Sequence, residues 1–259
     1  MNFLRQYLYG FKYRTGCCVP DLNRAKHHTT VGEVTRSFSY RRFCVPYSQK
    51  RNDCVPNAGL GRLSAIERFS GPKSIAELVE PSRAAHYYAA TAQSADRLNL
   101  PSFEGKDSGT WPKDFYDSLR HYGVVPEAVW PYKNGMKRPS FSAMAKGKAL
   151  PENLESVELG KGSGFLAKFL YDLQEGRFPS FATAITSEWY TQTPTSKPLQ
   201  PPRNSGDIIG YHMVYACGYD ATTRSVEICN SWGTGWGNGG FSWVDVDYLL
   251  DTETRGVFS

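Results

Sequence analysis

Between Gly210 and Asp220 the chain reads GYHMVYACGYD, and from Cys229 to Gly237 it reads CNSWGTGWG. The stretch predicts a β-hairpin whose turn centres near Thr222 and Thr223. A histidine opens its first strand, an asparagine closes its second, and a Gly/Trp-rich turn follows. A hairpin returns the chain beside itself, so it brings both strand ends, and with them His212 and Asn230, together. Cys217 and Cys229 are then expected to face each other across the strands, as a cross-strand bridge or, without export, as packed thiols.

The rest of the chain has to supply a partner for that pair. With 259 residues, 40% of them hydrophobic, there is enough apolar material for one large domain or two compact lobes. Helix-like and strand-like segments both occur, so the expected class is α+β. From Cys54 the pattern turns helical: Leu60, Leu63, Ile66 and Phe69 recur on one face, Arg62, Glu67 and Arg68 lie off it, and Gly71-Pro72 ends the run. Ser82 is placed to cap a second helix. Thr110 is expected to cap a third, with Trp111, Phe115 and Leu119 spaced by four and Gly123 as the stop. A later helix is expected to bury Phe165, Leu166, Phe169, Leu170 and Leu173 before Gly176. Phe181 to Tyr190 alternates like a strand. The Pro-rich stretch 191–210 leads into the histidine strand and is expected to overhang the site.

The first 42 residues carry eight Lys/Arg against Asp21 and Glu33, a surplus of +6 in a chain whose net charge is +5. With Phe3, Tyr7, Tyr9, Phe11 and Tyr13, residues 1–43 read as a basic aromatic extension: a docking arm for a protein assembly partner, a short pro-segment-like piece, or a solvated tail. Nucleic acid is not an expected partner. No stretch has the run of about 18 apolar residues that a membrane span needs. The opening ten residues lack a secretory pattern, so the expected location is the cytoplasm, a virion or another assembly. No Cys/His grouping has zinc-ligand spacing, His27-His28 reads as a solvated pair, and no metal or cofactor is expected.

A nucleophilic cysteine needs its thiolate, and a free thiol ionises only near pH 8.5. An imidazolium neighbour and a helix N-terminus both lower that value. Cys54 is the cysteine that heads a helix, with Pro56 suited to its first turn. Cys44 precedes Val45-Pro46 with no helix behind it, Cys17 and Cys18 sit in the arm, and Cys217 and Cys229 lie within strands. His212 would take the thiol proton and deliver it to a leaving amine, and Asn230 would fix the ring's tautomer and orientation. Trp232 would shield their hydrogen bond from water.

The run GYHMVYACGYD with NSWGTGWG, together with SGTWPKDFYDSLRHYGVVPEAVWPY and QKRNDCVPNAGLGRLSAIE, resembles the papain-like cysteine peptidases, in particular the bacterial and phage type. The likeness spans roughly residues 40–250. It implies a two-lobed α+β fold: a helical lobe (residues 44–149) holding the nucleophile, and an antiparallel β-barrel-like lobe (residues 150–259) holding His212 and Asn230, with the cleft between them. It further implies Cys54, His212 and Asn230 as catalytic residues, an oxyanion hole from the Gln49 side chain and the Cys54 backbone N–H, a polypeptide substrate and an acyl-enzyme. Three departures stand out. Gln49 precedes Cys54 by five residues where the family has six. Arg51, Asn52 and Asp53 replace the usual small residues, and Val55 stands where plant and animal members have Trp. A carboxylate at Asp53 would oppose thiol ionisation. The competing reading is therefore a papain-fold structural or binding subunit, for example of a virion, with weak or lost catalysis.

Overall fold

A computed structural model describes residues 34–71, 80–148, 163–251 and 254–258. The first thirty-three residues, with most of the predicted arm, Cys17-Cys18 and His27-His28, lie outside the described residues. Among the described residues the first element is β1 (Phe38–Ser39), then α1 (Cys54–Phe69), α2 (Arg83–Leu98), α3 (Pro112–Tyr122), the short α4 (Phe141–Met144) and α5 (Ser163–Gln174). The strands β2 (Ser180–Ile185), β3 (Gly210–Asp220), β4 (Ser225–Cys229) and β5 (Phe241–Asp245) follow, and after the short α6 (Asp247–Leu250) comes β6 (Arg255–Phe258). The sheet is antiparallel throughout, in the order β5-β4-β3-β2-β6, with β1 also pairing β3. A helical lobe thus faces a β lobe.

β3 is the spine of the molecule because both of its faces are covered. Successive side chains on a strand point to opposite faces. Met213, Tyr215 and Cys217 join the core shared with α1 and α3, while Val214 and Ala216 join the core with α5, Trp189, Trp236 and Tyr248. A strand buried on both faces reads as a near-continuous apolar run, as MVYAC does.

The helix α1 is more deeply placed than its four-residue apolar stripe predicts. Arg62 lies inside and donates its Nε to the Arg177 carbonyl at 3.1 Å. Leu63, Ile66 and Phe69 are only partly buried. The reason is two glycines. A Cβ at Gly59 would run into the ring of Phe115 on α3, and one at Gly61 would stand 2.8 Å from Tyr215 on β3. Their absence lets α1 lie against a helix and a strand at once, and each aromatic side chain so covered is worth about 1.5–3 kcal/mol.

Other expectations are met or corrected in detail. Ser82 caps α2 by accepting from the Ala85 N–H at 3.1 Å. Thr110 does not cap α3: Trp111 holds that position without a side-chain bond, and Pro112 starts the helix. The Thr110 hydroxyl instead meets Ser94 at 3.2 Å in the interior. Gly123, with φ of 67°, ends α3 as expected. Leu166 is only partly buried. The segment from Phe181 is not an alternating strand to Tyr190: β2 ends at Ile185 with all six residues buried, and a 3-10 turn covers Ser187–Thr191. The Pro-rich stretch is tied at its middle to the sheet margin, where Leu199 donates its N–H to the Trp243 carbonyl at 2.8 Å and accepts from Asp245 at 2.9 Å. Its prolines allow that single bridge and no ladder. Among the described residues no helix is long and apolar enough to cross a membrane.

Candidate active site

The ladder between β3 and β4 sets one wall. Tyr215 pairs with Cys229, so the chain leaves β4 at Asn230 beside the first half of β3. His212 Nε2 lies 2.7 Å from Asn230 Oδ1. The Ser231 N–H donates to the same oxygen at 2.7 Å, which identifies that atom as the acceptor and leaves Nε2 as the protonated nitrogen. The ring's Nδ1 is then the basic position.

Aromatic rings enclose the imidazole. Trp232 lies with its centroid 4.8 Å from that of His212, and Trp189 meets the ring edge-on at 5.9 Å. Trp189 is fully buried and is itself fixed, donating its Nε1–H to the Tyr248 hydroxyl at 2.9 Å while its carbonyl accepts from Trp236 at 2.5 Å. Tyr190 stacks almost parallel on Trp232 at 5.1 Å. Trp232 was legible in its motif; Trp189 and Tyr190 were not. They come from a 3-10 turn whose sequence, SEWYT, carries no periodic signal.

The other wall begins where residues 47–49 run antiparallel to 231–233. Gly233 N–H donates to the Tyr47 carbonyl at 2.8 Å, and Gln49 N–H to the Ser231 carbonyl at 2.7 Å. Two main-chain bonds thus stitch the approach to α1 onto the turn after Asn230. Gln49 is buried; its Oε1 accepts from the Ser231 hydroxyl at 2.6 Å and its Nε2 donates to the Arg51 carbonyl at 2.9 Å. Its one-residue displacement is absorbed here, with one amide hydrogen beyond the bond to Arg51.

Cys54 is the first residue of α1, and its thiol is in hydrogen-bonding contact with the main chain of Met213, the residue after His212. The structure therefore brings Cys54 to the histidine strand. Asp53 precedes it at the helix N-cap without a side-chain cap bond. Its Oδ2 accepts from the Tyr132 hydroxyl at 2.7 Å, while Oδ1 is buried with no hydrogen-bond partner. Arg83 lies over Tyr132 at 4.0 Å and over Tyr47 at 4.3 Å. Asn52 donates its N–H to Asp107 at 2.7 Å, and the Tyr87 hydroxyl donates to the same oxygen at 2.9 Å.

Burial decides the charge states of this arrangement. Cys54 is 0% exposed and His212 2%. Burial pushes the Cys54 thiol up to about 12, with the Met213 contact opposing and the Asp53 charge adding to the rise. Burial likewise pulls His212 down to about 4 against the Asn230 bond. The lowered thiol pKa expected from the sequence is thus not found, because burial of both groups disfavours their charged forms. Asp53 is raised to about 6 by burial, although Tyr132, Arg51 and Arg83 pull the other way. Among the described residues no group of three or more His, Cys, Asp or Glu side chains is arranged to hold a metal ion.

Solved structures share this arrangement of elements. The chain is similar to xylellain, a cysteine protease from Xylella fastidiosa, at 21% identity over 98% of this chain and 97% of that one, with a TM-score of 0.71. It is similar to digestive procathepsin L 3 of Tenebrio molitor larval midgut at 14% identity, covering 99% and 78% of the two chains, with a TM-score of 0.67. Bromelain from Ananas comosus matches at 15% identity over 87% and 98%, with a TM-score of 0.60. No family model matches the sequence, and no curated protein does. At these identities the likeness establishes the fold.

Proposed function

We propose that this chain, which has the papain-like fold, is a cysteine-type peptidase. Cys54 is its nucleophile, His212 its general base and acid, and Asn230 the residue that orients the ring. When substrate opens the site, His212 Nδ1 takes the thiol proton and the sulfur attacks the scissile carbonyl carbon. The tetrahedral oxyanion is met by the Cys54 backbone N–H and the Gln49 Nε2–H. As the carbonyl re-forms, the C–N bond breaks and the imidazolium gives its proton to the leaving amine. Water, deprotonated by the same nitrogen, then cleaves the thioester.

The observation that carries this reading is the 2.7 Å bond between His212 Nε2 and Asn230 Oδ1 inside its aromatic enclosure. A buried imidazole whose outer nitrogen is clamped is held in one tautomer, with the other nitrogen left for proton transfer. The contact of the Cys54 thiol with the main chain of Met213, the residue after His212, supports Cys54 as the nucleophile. One observation favours a second reading, a binding or structural subunit with weak catalysis: Cys54 is fully buried, and the charge of Asp53 resists its ionisation.

An epoxide or vinyl-sulfone thiol probe, with the adduct mapped by mass spectrometry, separates the two. The peptidase predicts an adduct at Cys54 that disappears in His212→Ala, and peptide turnover that falls by about 1,000-fold or more in the same variant. Folded wild-type protein that leaves Cys54 unlabelled supports the second reading instead.

A further inference from the structure

Outside the candidate active site, three thiols and a phenol meet between the start of the helical lobe and the sheet. The Tyr40 N–H donates to the Cys217 carbonyl at 2.7 Å, continuing the pairing of β1 with β3. A 3-10 turn over Arg41–Phe43 then folds the chain back, so that the Cys44 sulfur lies 3.7 Å from the Tyr40 carbonyl. That turn carries Cys44 onto β3, where it packs against the buried cluster that holds Cys217, Cys229 and Tyr215. The register differs from the expectation that Cys217 and Cys229 face each other. Cys229 is opposite Tyr215, and Cys217 falls at a bulge between Ala216 and Gly218. The bulge leaves Cys217 out of the ladder with β4. All three cysteines lack a disulfide; Cys44 is partly exposed and the other two are buried.

We infer that Cys44 is a second reactive thiol, a peroxide-modification site distinct from Cys54, with Cys217 as its resolving partner. The Cys44 sulfur attacks one peroxide oxygen, the O–O bond breaks, and Cys44 becomes a sulfenic acid as the first water leaves. The Cys217 sulfur attacks the Cys44 sulfur, the S–S bond forms, and the departing hydroxyl takes the Cys217 proton to leave as a second water. Two thiols lose two electrons, and one peroxide gains them. Glu227 contacts the Cys217 thiol and receives the Ser39 hydroxyl at 2.6 Å, so a carboxylate stands ready to relay that proton.

The surroundings favour attack by Cys44 and not by its neighbours. Burial would raise its thiol, but the neighbouring thiols of Cys217 and Cys229, with the Arg68 charge, bring it below the ordinary range. Burial raises Cys217 and Cys229, and the Glu227 charge adds to both. Arg68 is held nearby by its own bond to the Phe43 carbonyl at 3.3 Å.

The full chain, with Cys17 and Cys18 replaced by Ser, is treated with one equivalent of hydrogen peroxide, blocked with N-ethylmaleimide and peptide-mapped. The expected product joins the Cys44 and Cys217 peptides with the loss of two hydrogens, leaves Cys54 unlinked, and is reversed by dithiothreitol. Before oxidation, Cys44 is alkylated at least about tenfold faster than Cys217 or Cys229 at pH 6. Cys44→Ser, checked for folding by its thermal melt, should abolish the linkage. Cys217→Ser should stop oxidation at a Cys44 sulfenic acid trapped by dimedone. A Cys44 that stays reduced while Cys54 is oxidised overturns the inference, and so does a linkage of Cys44 to Cys229 alone.

Discussion

The wall that carries His212 and Asn230 is held by its own ladder, whereas the approach to Cys54 is held by side chains from distant segments. On the hairpin, the pairing of Tyr215 with Cys229 puts Asn230 within reach of His212, and neighbouring aromatics close over the ring. On the other wall, residues 49–53 have no regular structure of their own and follow a single bridge at Ser48. Ser231 positions Gln49, Asp107 holds Asn52, and Tyr132 holds Asp53. The hairpin's geometry is local and periodic. The irregular wall accommodates the shifted glutamine and the carboxylate of Asp53 through separate side-chain bonds beside its two main-chain bonds.

The largest effect should come from acid, which acts on both walls. His86 on α2 is pulled down to about 3 by burial, its Nε2 accepting from the Val125 N–H at 3.0 Å, and His212 is pulled down to about 4. The unfolded chain binds these protons near pH 6.5, the folded chain only well below it. Stability is therefore complete above that value and lost as pH falls toward 4, by about 3 kcal/mol per histidine. Urea titrations at stepped pH should show this slope. His86→Gln, whose amide oxygen can accept the Val125 N–H, should remove roughly half of it. An unchanged slope would place the acid sensitivity elsewhere.

Gln49→Ala tests whether the displaced amide still works as a donor. The expected loss is about 100-fold in kcat with KM little altered, measured on a fluorogenic peptide. Ser231→Ala, which removes the hydroxyl that holds Gln49 Oε1, should give a smaller loss of the same kind. An equal kcat in the Gln49 variant means that the backbone N–H of Cys54 acts without it.

Asp53→Asn sharpens the contrast from the other side. The folded protein holds the Asp53 proton up to about pH 6, against an ordinary value of 3.8. Its ionisation therefore costs stability above pH 6, and that cost vanishes below about pH 4. The variant should gain about 3 kcal/mol at neutral pH and nothing in acid. Iodoacetamide should also modify its Cys54 faster at pH 7, since the charge that raises the thiol is gone. A neutral-pH stability equal to wild type would mean that Tyr132, Arg51 and Arg83 already compensate the carboxylate in full.

The parts read correctly from sequence were those whose geometry repeats within a few residues. The hairpin, the start of α1 at Cys54, the Ser82 cap and the Gly123 stop all follow from local pattern. The misreadings arose where a distant contact overrode a local preference. Thr110 looked like a cap but is spent on Ser94, and Arg62 looked exposed but crosses the interior to Arg177. The run after Phe181 looked like one strand, yet it turns at Thr186 so that Trp189 can back the imidazole. The thiol meeting at Cys44 depends on a bulge and a 3-10 turn that no spacing announces.

The amino-acid order alone determined that an imidazole and a carboxamide share one ribbon and that a thiol stands at a helix start. That followed because strand and helix periods are fixed by backbone geometry and need no partner. Only the packed fold decided how those groups are charged and which aromatics surround them. Charge depends on how completely water is excluded, and that exclusion is the joint result of segments far apart along the chain.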